Sequence, residues 1–172
     1  MKSRFLKTVK RILITALVLL LVLISANEIV YRNSIPDHFA NANWSGKWHS
    51  SEYYLVSGKV LTTIPADNYA DFKSETLIYY NLWSLYKPGQ KQILKLSGNF
   101  SEADINGNNS DQKSPLNTRN EAHLSSFKAK MSIGKGQYLE YDGMKEYDGV
   151  KICGKYDSSF PLDEGTFELS LH

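Results

Sequence analysis

The chain has 172 residues and a single cysteine, Cys153, so no disulfide can form within it. A domain of this size folds without disulfides when core packing supplies its stability. Because Cys153 lies in the apolar stretch 150–153, we expect it to be a buried structural thiol. The four histidines are scattered, and one thiol is too few for soft metal ligation. We therefore expect no metal site and no cofactor.

Motifs for nucleophilic catalysis are also missing. The sequence has no Gly-x-Ser-x-Gly elbow, and its Ser-x-x-Lys spacings lack the accompanying Ser-Asp-Asn and Lys-Thr-Gly motifs. Asp142 and Asp148 each precede a glycine, and Asp163 lies shortly before Gly165. Aspartate in such positions serves the backbone geometry of turns. We expect no catalytic residue, and hence a protein that is not an enzyme.

Acidic residues are absent before position 27, whereas five basic residues occur there. The rest of the chain has 15 basic and 18 acidic residues, a net charge of −3. The net charge of +2 for the whole chain therefore comes from the N-terminal flank. A domain with a negative net charge has no electrostatic feature of nucleic-acid binding, so we expect no such partner.

The run Ile12–Ala26 contains no charged residue. In lipid such a run forms a helix, because a helix satisfies its own backbone hydrogen bonds. We predict a signal-anchor over 12–31, preceded by a cytoplasmic basic flank over 1–11, since positive flanks stay inside. The C-terminal part would then lie outside the inner membrane of the cell, in the periplasm of a Gram-negative host. A cleaved signal peptide and a buried core helix are the alternatives.

Residues 32–42 are expected to form a stalk, and 43–172 a single exported domain. Short β-type runs alternate there with turn signals, without a sustained helical period. About eight strands joined by short connections predict an all-β fold, either an antiparallel up-and-down barrel or a sandwich. Seven of these strands have explicit predicted bounds: 48–56, 59–64, 75–86, 92–100, 124–133, 150–156 and 166–171.

The longest β-type run, 75–86, is apolar on both faces, with Tyr79 and Trp83 on one of them; a helix is the alternative for this run. The turn at 87–90 would join it to the next strand as a hairpin. Of the two Asp-Gly pairs at 142–143 and 148–149, at least one should close a hairpin, and the other forms a bulge. Residues 101–121 contain five asparagines and no aromatic residue, which predicts a long surface loop.

The triplet Gly46-Lys47-Trp48 resembles the Gly-x-Trp signature at the first strand of lipocalins and related calycin barrels. This resemblance implies an eight-stranded antiparallel barrel around a small, often apolar, ligand, with the tryptophan packed across one end. The sequence departs from the family pattern in the last strand. The arginine that usually stacks on the tryptophan has no counterpart, because no arginine occurs after Arg119.

Four aromatic residues are candidates to line a ligand cavity: Trp48, Tyr54, Tyr79 and Trp83. Ligand sites are mostly apolar with a few polar groups, although the same residues would fill the core of a closed small barrel. The sequence therefore predicts a membrane-anchored binding module for a small apolar or lipid-like ligand, held to the membrane by 12–31. The alternative is an envelope interaction protein with a filled core, which engages a partner protein through loop 101–121 or a sheet edge.

Overall fold

The computed structural model describes residues 2–53, 55–65, 71–102, 125–146, 149–159 and 163–172. These residues form one long helix, one short 3-10 helix and eight strands. In chain order the elements are α1 (Lys2–Ser34), the 3-10 helix (Asp37–Phe39), β1 (Trp44–Ser50), β2 (Ser57–Thr62), β3 (Phe72–Tyr80), β4 (Lys91–Glu102), β5 (Ser125–Gly134), β6 (Gln137–Lys145), β7 (Lys151–Ser158) and β8 (Glu164–Leu171).

The eight strands form a closed antiparallel barrel in which each strand pairs with the next and β8 pairs with β1. Trp44 lies opposite Leu171 in that closing pair, and Trp48 lies opposite Phe167. The predicted up-and-down barrel is confirmed, and the sandwich alternative is excluded. Closure pairs both sides of every described strand, so these strands offer no open edge for a partner strand.

Helix α1 is 33 residues long, and its side chains are exposed throughout residues 6–25. That exposure excludes the alternative of a buried core helix. The stretch Leu6–Ser34 is long and apolar enough to cross a membrane, as a membrane anchor or a signal sequence would be.

The lower half of the barrel is filled by inward-facing side chains. We call the end where β1 begins the closed end, and the end where β1 finishes the mouth. Trp44 is only 1% exposed at the closed end, and it belongs to one buried cluster with phenylalanine rings from four other strands. Phe127 stacks on Phe72 with ring centroids 6.1 Å apart, and lies 5.4 Å from Phe100. These rings face the interior because every second side chain of a strand does so.

Two glycines that face each other on β6 and β7 make room for the ring of Phe167. A Cβ added at Gly143 would lie 2.9 Å from that ring, and one added at Gly154 would lie 2.8 Å from it. The register of β6 with β7 is regular through Asp142, so the bulge expected at one Asp-Gly pair is wrong for 142–143. Close packing, rather than a bulge, accounts for the glycine there.

The other Asp-Gly pair lies in the connection between β6 and β7, although Asp148 itself is outside the described residues. Gly149 has a positive φ of 70°, which favours glycine, and its amide donates to the carbonyl of Glu146 at 2.8 Å. The amide of Glu146 donates in turn to the carbonyl of Lys151 at 2.8 Å. The predicted hairpin closure at this pair is confirmed.

Strand β3 ends at Tyr80, six residues before the predicted end, and the helical alternative for 75–86 is wrong. Asn81, the first residue after β3, is buried, and its backbone amide still donates to the carbonyl of Ser57 at 3.0 Å. Its side-chain amide donates to the hydroxyl of Ser57 at 3.0 Å, and its side-chain carbonyl oxygen accepts from Asn27 at 3.0 Å. Strand β1 begins at Trp44 instead of Trp48 and ends at Ser50, so the chain from Ser51 to Val56 connects β1 to β2.

The segment between the apolar run and the barrel packs on the outer wall of β2 and β3. Tyr31 lies against Tyr79 with ring centroids 5.2 Å apart, and Phe39 is buried with Leu61 and Leu77. Glu28 pairs with Lys59, whose ammonium also lies 4.4 Å from the ring centre of Tyr31. The predicted stalk 32–42 is thus attached to the barrel wall, since the helix continues to Ser34 and the 3-10 helix follows.

Candidate ligand cup and its mouth

The upper half of the barrel is a cavity of about 670 Å³ that opens at the mouth. Deeper in the barrel the residual free space is about 20 Å³, so the lower half is a filled core. The barrel therefore combines the two alternatives of the sequence, a filled core below and an open space above. We call the open space the cup. Its inward-facing strand residues are Trp48, Ile78, Tyr80, Gln92, Leu94, Ile133, Gln137, Leu139, Tyr141, Tyr156 and Ser158.

Aromatic rings form the floor and one wall of the cup. Trp48 contacts Tyr80 edge to face at 5.1 Å between ring centroids and lies 6.4 Å from Tyr156. Tyr141 lies 5.9 Å from Tyr156 and joins the cup to the core through Phe167 at 5.2 Å. Edge-to-face rings hold one another in place, because the positive ring edge meets the negative face of its neighbour. The result is a preformed apolar surface.

One carboxyl group lies in this largely apolar cup. The hydroxyl of Tyr156 donates to Oδ1 of Asp163 at 3.3 Å. Burial raises the pKa of Asp163, and hydrogen bonds from Ser50 and Tyr156 partly offset that rise. Sequence reasoning assigned Asp163 to a turn and missed its position in the cup. No local signal indicates it, because the partner Tyr156 comes from a different strand.

The tyrosines around Asp163 stay protonated at neutral pH. Burial raises the pKa of Tyr80 to about 12, with a smaller contribution from Tyr86. Burial also raises the pKa of Tyr141 and of Tyr156, and for Tyr156 the neighbouring Asp163 adds to the rise. Their hydroxyl groups therefore keep their hydrogens: Tyr156 donates to Asp163, and Tyr141 donates to Sδ of Met131 at 3.8 Å. The cup offers an apolar body with a few polar groups, which is the composition of small-molecule sites.

The two tryptophans of β1 lie at different depths. The resemblance predicts that Trp48 packs across one end of the barrel, but it is Trp44 that lies at the closed end, while Trp48 forms the floor of the cup. The indole Nε1 of Trp48 is buried and has no hydrogen-bond partner among the described residues. It lies against the wall of β2, where a Cβ added at Gly58 would be 2.5 Å from it, and Nε1 of Trp44 in the filled half is buried in the same way.

Of the three predicted site residues that the structure describes, it brings only Trp48 into the cup. Tyr79 is fully buried on the outer wall of β3, where it contacts Tyr31 and donates to Asn27 at 3.3 Å. Trp83 lies in the connection between β3 and β4, in a groove between α1 and the barrel. Tyr54 lies outside the described residues. Neither Tyr79 nor Trp83 lines the barrel interior.

A groove of about 990 Å³ separates α1 from the outer wall around β1, β2 and β7. Leu20, Ile24 and Trp83 line it, together with Cys153.

Cys153 is half-buried on the outer face of β7, so the expectation of a buried thiol is wrong. Burial, followed by the nearby Glu146, raises the pKa of this thiol, and its Sγ donates to Glu146 at 3.8 Å. A raised pKa lowers its reactivity as a nucleophile.

Within the part of the chain that the structure describes, no group of three or more histidine, cysteine or acidic side chains is placed to hold a metal ion. Most of loop 101–121 lies outside the described residues, so its predicted role as a partner site stays a prediction.

Comparison of the chain with protein-family models, curated proteins and solved structures found no match. The closed barrel is consistent with a lipocalin-like fold, and kinship with lipocalins stays a prediction.

Proposed function

We propose that this protein is a membrane-anchored binding module whose cup holds a small apolar or lipid-like ligand. The observation that carries the proposal is the cup itself, an open space of about 670 Å³ above a core that is otherwise filled. Small barrels either fill their interior or retain a cavity for one ligand. Here the filled half supplies stability, and the open half is lined by preformed aromatic and aliphatic surface.

The ligand's polar end would lie beside Asp163 and the tyrosine hydroxyls, and its apolar body against Trp48 and Leu94. The proposed role is non-catalytic: the cup groups bind and orient. In this proposal α1 is an uncleaved signal-anchor with its basic flank in the cytoplasm, so the barrel lies outside the inner membrane, in the periplasm of a Gram-negative host. The lipocalin-like signature Gly46-x-Trp48 supports the same class of ligand.

Two neighbouring residues of β4 provide a matched test. Leu94 faces the cup, whereas Ile93 is 42% exposed on the outer face of the same strand. Placing an amide against a bound apolar ligand costs about 1–3 kcal/mol when its hydrogen bonds are not made. Leu94→Gln should therefore weaken binding roughly 5- to 150-fold, and Ile93→Gln should leave it unchanged.

The measurement is titration of the full chain in detergent with cis-parinaric acid, a fluorescent fatty acid. Saturable binding near one probe per chain, weakened only by Leu94→Gln, supports the cup as the site. Equal binding by both variants would place the probe on the outer surface or in the micelle. Absence of saturable binding by the unaltered chain would argue against a fatty-acid-like ligand.

A further inference from the structure

The order of contacts along α1 shows which end of the barrel lies toward the membrane-crossing part of the helix. Near the closed end, Phe39 packs on Leu61 and Leu77. Moving back along the chain, Tyr31 contacts Tyr79, and Asn27 then reaches the connection after β3 by accepting from the amide of Leu82 at 2.8 Å. The helix therefore runs along the wall toward the mouth, and its charge-free run begins next to Asn27, where the helix contacts the connection after β3.

Apolar side chains are concentrated at this end of the barrel, in the two connections nearest the helix. Tyr53 and Leu55 are each 48% exposed, Tyr86 is 53% exposed and Leu85 is 77% exposed. The two connections are in contact, because the amide of Leu85 donates to the carbonyl of Leu55 at 3.3 Å. With the half-buried Trp83 they form one patch, which we call the rim: Tyr53, Leu55, Trp83, Leu85 and Tyr86.

The rim is continuous with the apolar surface of α1. Leu20, Leu23 and Ile24 line the same groove as Leu55 and Trp83. Exposed apolar patches mark protein or membrane contacts, and tyrosine and tryptophan are enriched at the membrane–water interface. Continuity with a helix long and apolar enough to span a bilayer favours the membrane over a protein partner.

The position of the apolar run supports the same occupant. The charge-free run ends at Ala26, and the next residue, Asn27, bonds to Leu82 in the connection after β3. The rim therefore lies beside the outer end of this run.

We propose that the rim rests on the outer surface of the bilayer that α1 spans, so that the cup opens onto the membrane. A lipid-like molecule would then enter the cup from the outer leaflet without crossing water. This inference rests on the membrane anchoring in the proposed function, and it does not require that the cup binds a ligand. Rim contact, anchoring and ligand binding are therefore measured separately.

The single cysteine makes the test direct. In a Cys153→Ser background, a nitroxide is attached to the full chain through Leu85→Cys or Tyr53→Cys on the rim. Leu171→Cys, at the closed end and 38% exposed, is the matched control. The chain is reconstituted in phosphatidylcholine nanodiscs. Electron paramagnetic resonance then measures how often each nitroxide collides with oxygen, which partitions into lipid, and with a nickel complex, which stays in water.

Both rim labels should lose collisions with the nickel complex and gain collisions with oxygen relative to the Leu171→Cys label. Nickel collisions at both rim sites as frequent as at the control would overturn the proposal. Loss of the chain from the nanodiscs would overturn the anchoring and the rim contact together. Binding of cis-parinaric acid by the unlabelled chain in detergent, compared with that by Leu94→Gln, reports on the cup separately, and circular dichroism confirms that each labelled variant is folded.

Discussion

Replacing Asn27 with alanine should detach α1 from the mouth of the barrel. The buried Asn27 side chain makes three hydrogen bonds there: it donates to Asn81 at 3.0 Å, and it accepts from the amide of Leu82 at 2.8 Å and from the hydroxyl of Tyr79 at 3.3 Å. A neutral hydrogen bond contributes about 1 kcal/mol net, so the loss in docking free energy should be about 2–3 kcal/mol. That corresponds to a roughly 30- to 150-fold rise in the detached fraction.

The amide of Leu82 reports this change directly, because its acceptor is Asn27 itself. In the full chain in detergent, hydrogen exchange at Leu82 should accelerate in Asn27→Ala by roughly the same factor. The amide of Tyr80, which donates to Gln90 at 3.0 Å within the β3–β4 hairpin, should change much less.

Lys91→Ala provides a matched control variant for this experiment. Lys91 also joins the barrel to α1, through a 2.7 Å hydrogen bond from its ammonium to the carbonyl of Ser34, but that contact is exposed. Its loss should change stability by no more than about 0.5 kcal/mol, as exposed substitutions usually do. The reasoning holds that the buried contacts of Asn27 keep α1 on the barrel. It would be refuted if hydrogen exchange at Leu82 were unchanged in Asn27→Ala, or if it accelerated equally in Asn27→Ala and Lys91→Ala.

Three further predictions concern the barrel. Gly154→Ala should lower the free energy of unfolding by about 1–3 kcal/mol, because the added Cβ would lie 2.2 Å from the carbonyl oxygen of Asp142 and would also meet the Phe167 ring. Urea unfolding measures this change against the exposed control Lys155→Ala, and equal unfolding midpoints for the two variants would contradict it. Burial raises the pKa of Asp163, so the folded state retains its proton above the ordinary value of 3.8 while the unfolded state releases it. Stability should therefore fall as pH rises from 3.8 through the raised value, and Asp163→Asn should reduce that fall in urea midpoints compared across pH; an unchanged pH dependence would argue against burial as its source. At pH 8 the thiol of Cys153 in the folded chain should react with iodoacetamide more slowly than the same thiol in the unfolded chain, since burial and Glu146 both raise its pKa. In folded Glu146→Gln it should react faster than in the folded unaltered chain. Equal rates in these two folded proteins would show that Glu146 does not act on the thiol.

The sequence predicts the barrel well because the alternation of β-strands is a local property. Phe127, Ala129 and Met131 alternate with exposed lysines, and the structure buries all three inside β5. Turn chemistry is equally local, so Gly149 and the turn at 87–90 lie where they were predicted. The helix follows from the charge-free run alone.

The faces of β3 show where local reasoning ends. The alternation correctly separates Tyr79 from Tyr80, but both faces are apolar, and the pattern does not indicate which one faces the interior. The structure turns Tyr80 inward and buries Tyr79 beneath Tyr31 of α1. Because that partner is 48 positions away in the chain, the outer wall looked like a second core face.

A ligand cavity and the place of Trp48 in it were predicted, but the rest of the lining of the cup escaped prediction for the same reason. Asp163 belongs to the cup because it contacts Tyr156 of another strand. Trp48 forms the floor because it lies nearer the mouth than Trp44 does. Neither relation appears as a spacing in the sequence. β3 also ends earlier than predicted, at Tyr80, and the next residue, Asn81, bonds through its side chain to the distant residues Ser57 and Asn27. Trp83 therefore lies at the rim instead of within a strand.

The most direct test of the proposed function is native mass spectrometry of the full chain, extracted from its own membrane in a mild detergent and released from the micelle in the spectrometer. We predict a reproducible extra mass of lipid or fatty-acid size on the unaltered chain, retained by Ile93→Gln and diminished in Leu94→Gln. A bare chain mass in all three proteins, with the barrel folded, would contradict the proposal that the cup holds such a ligand.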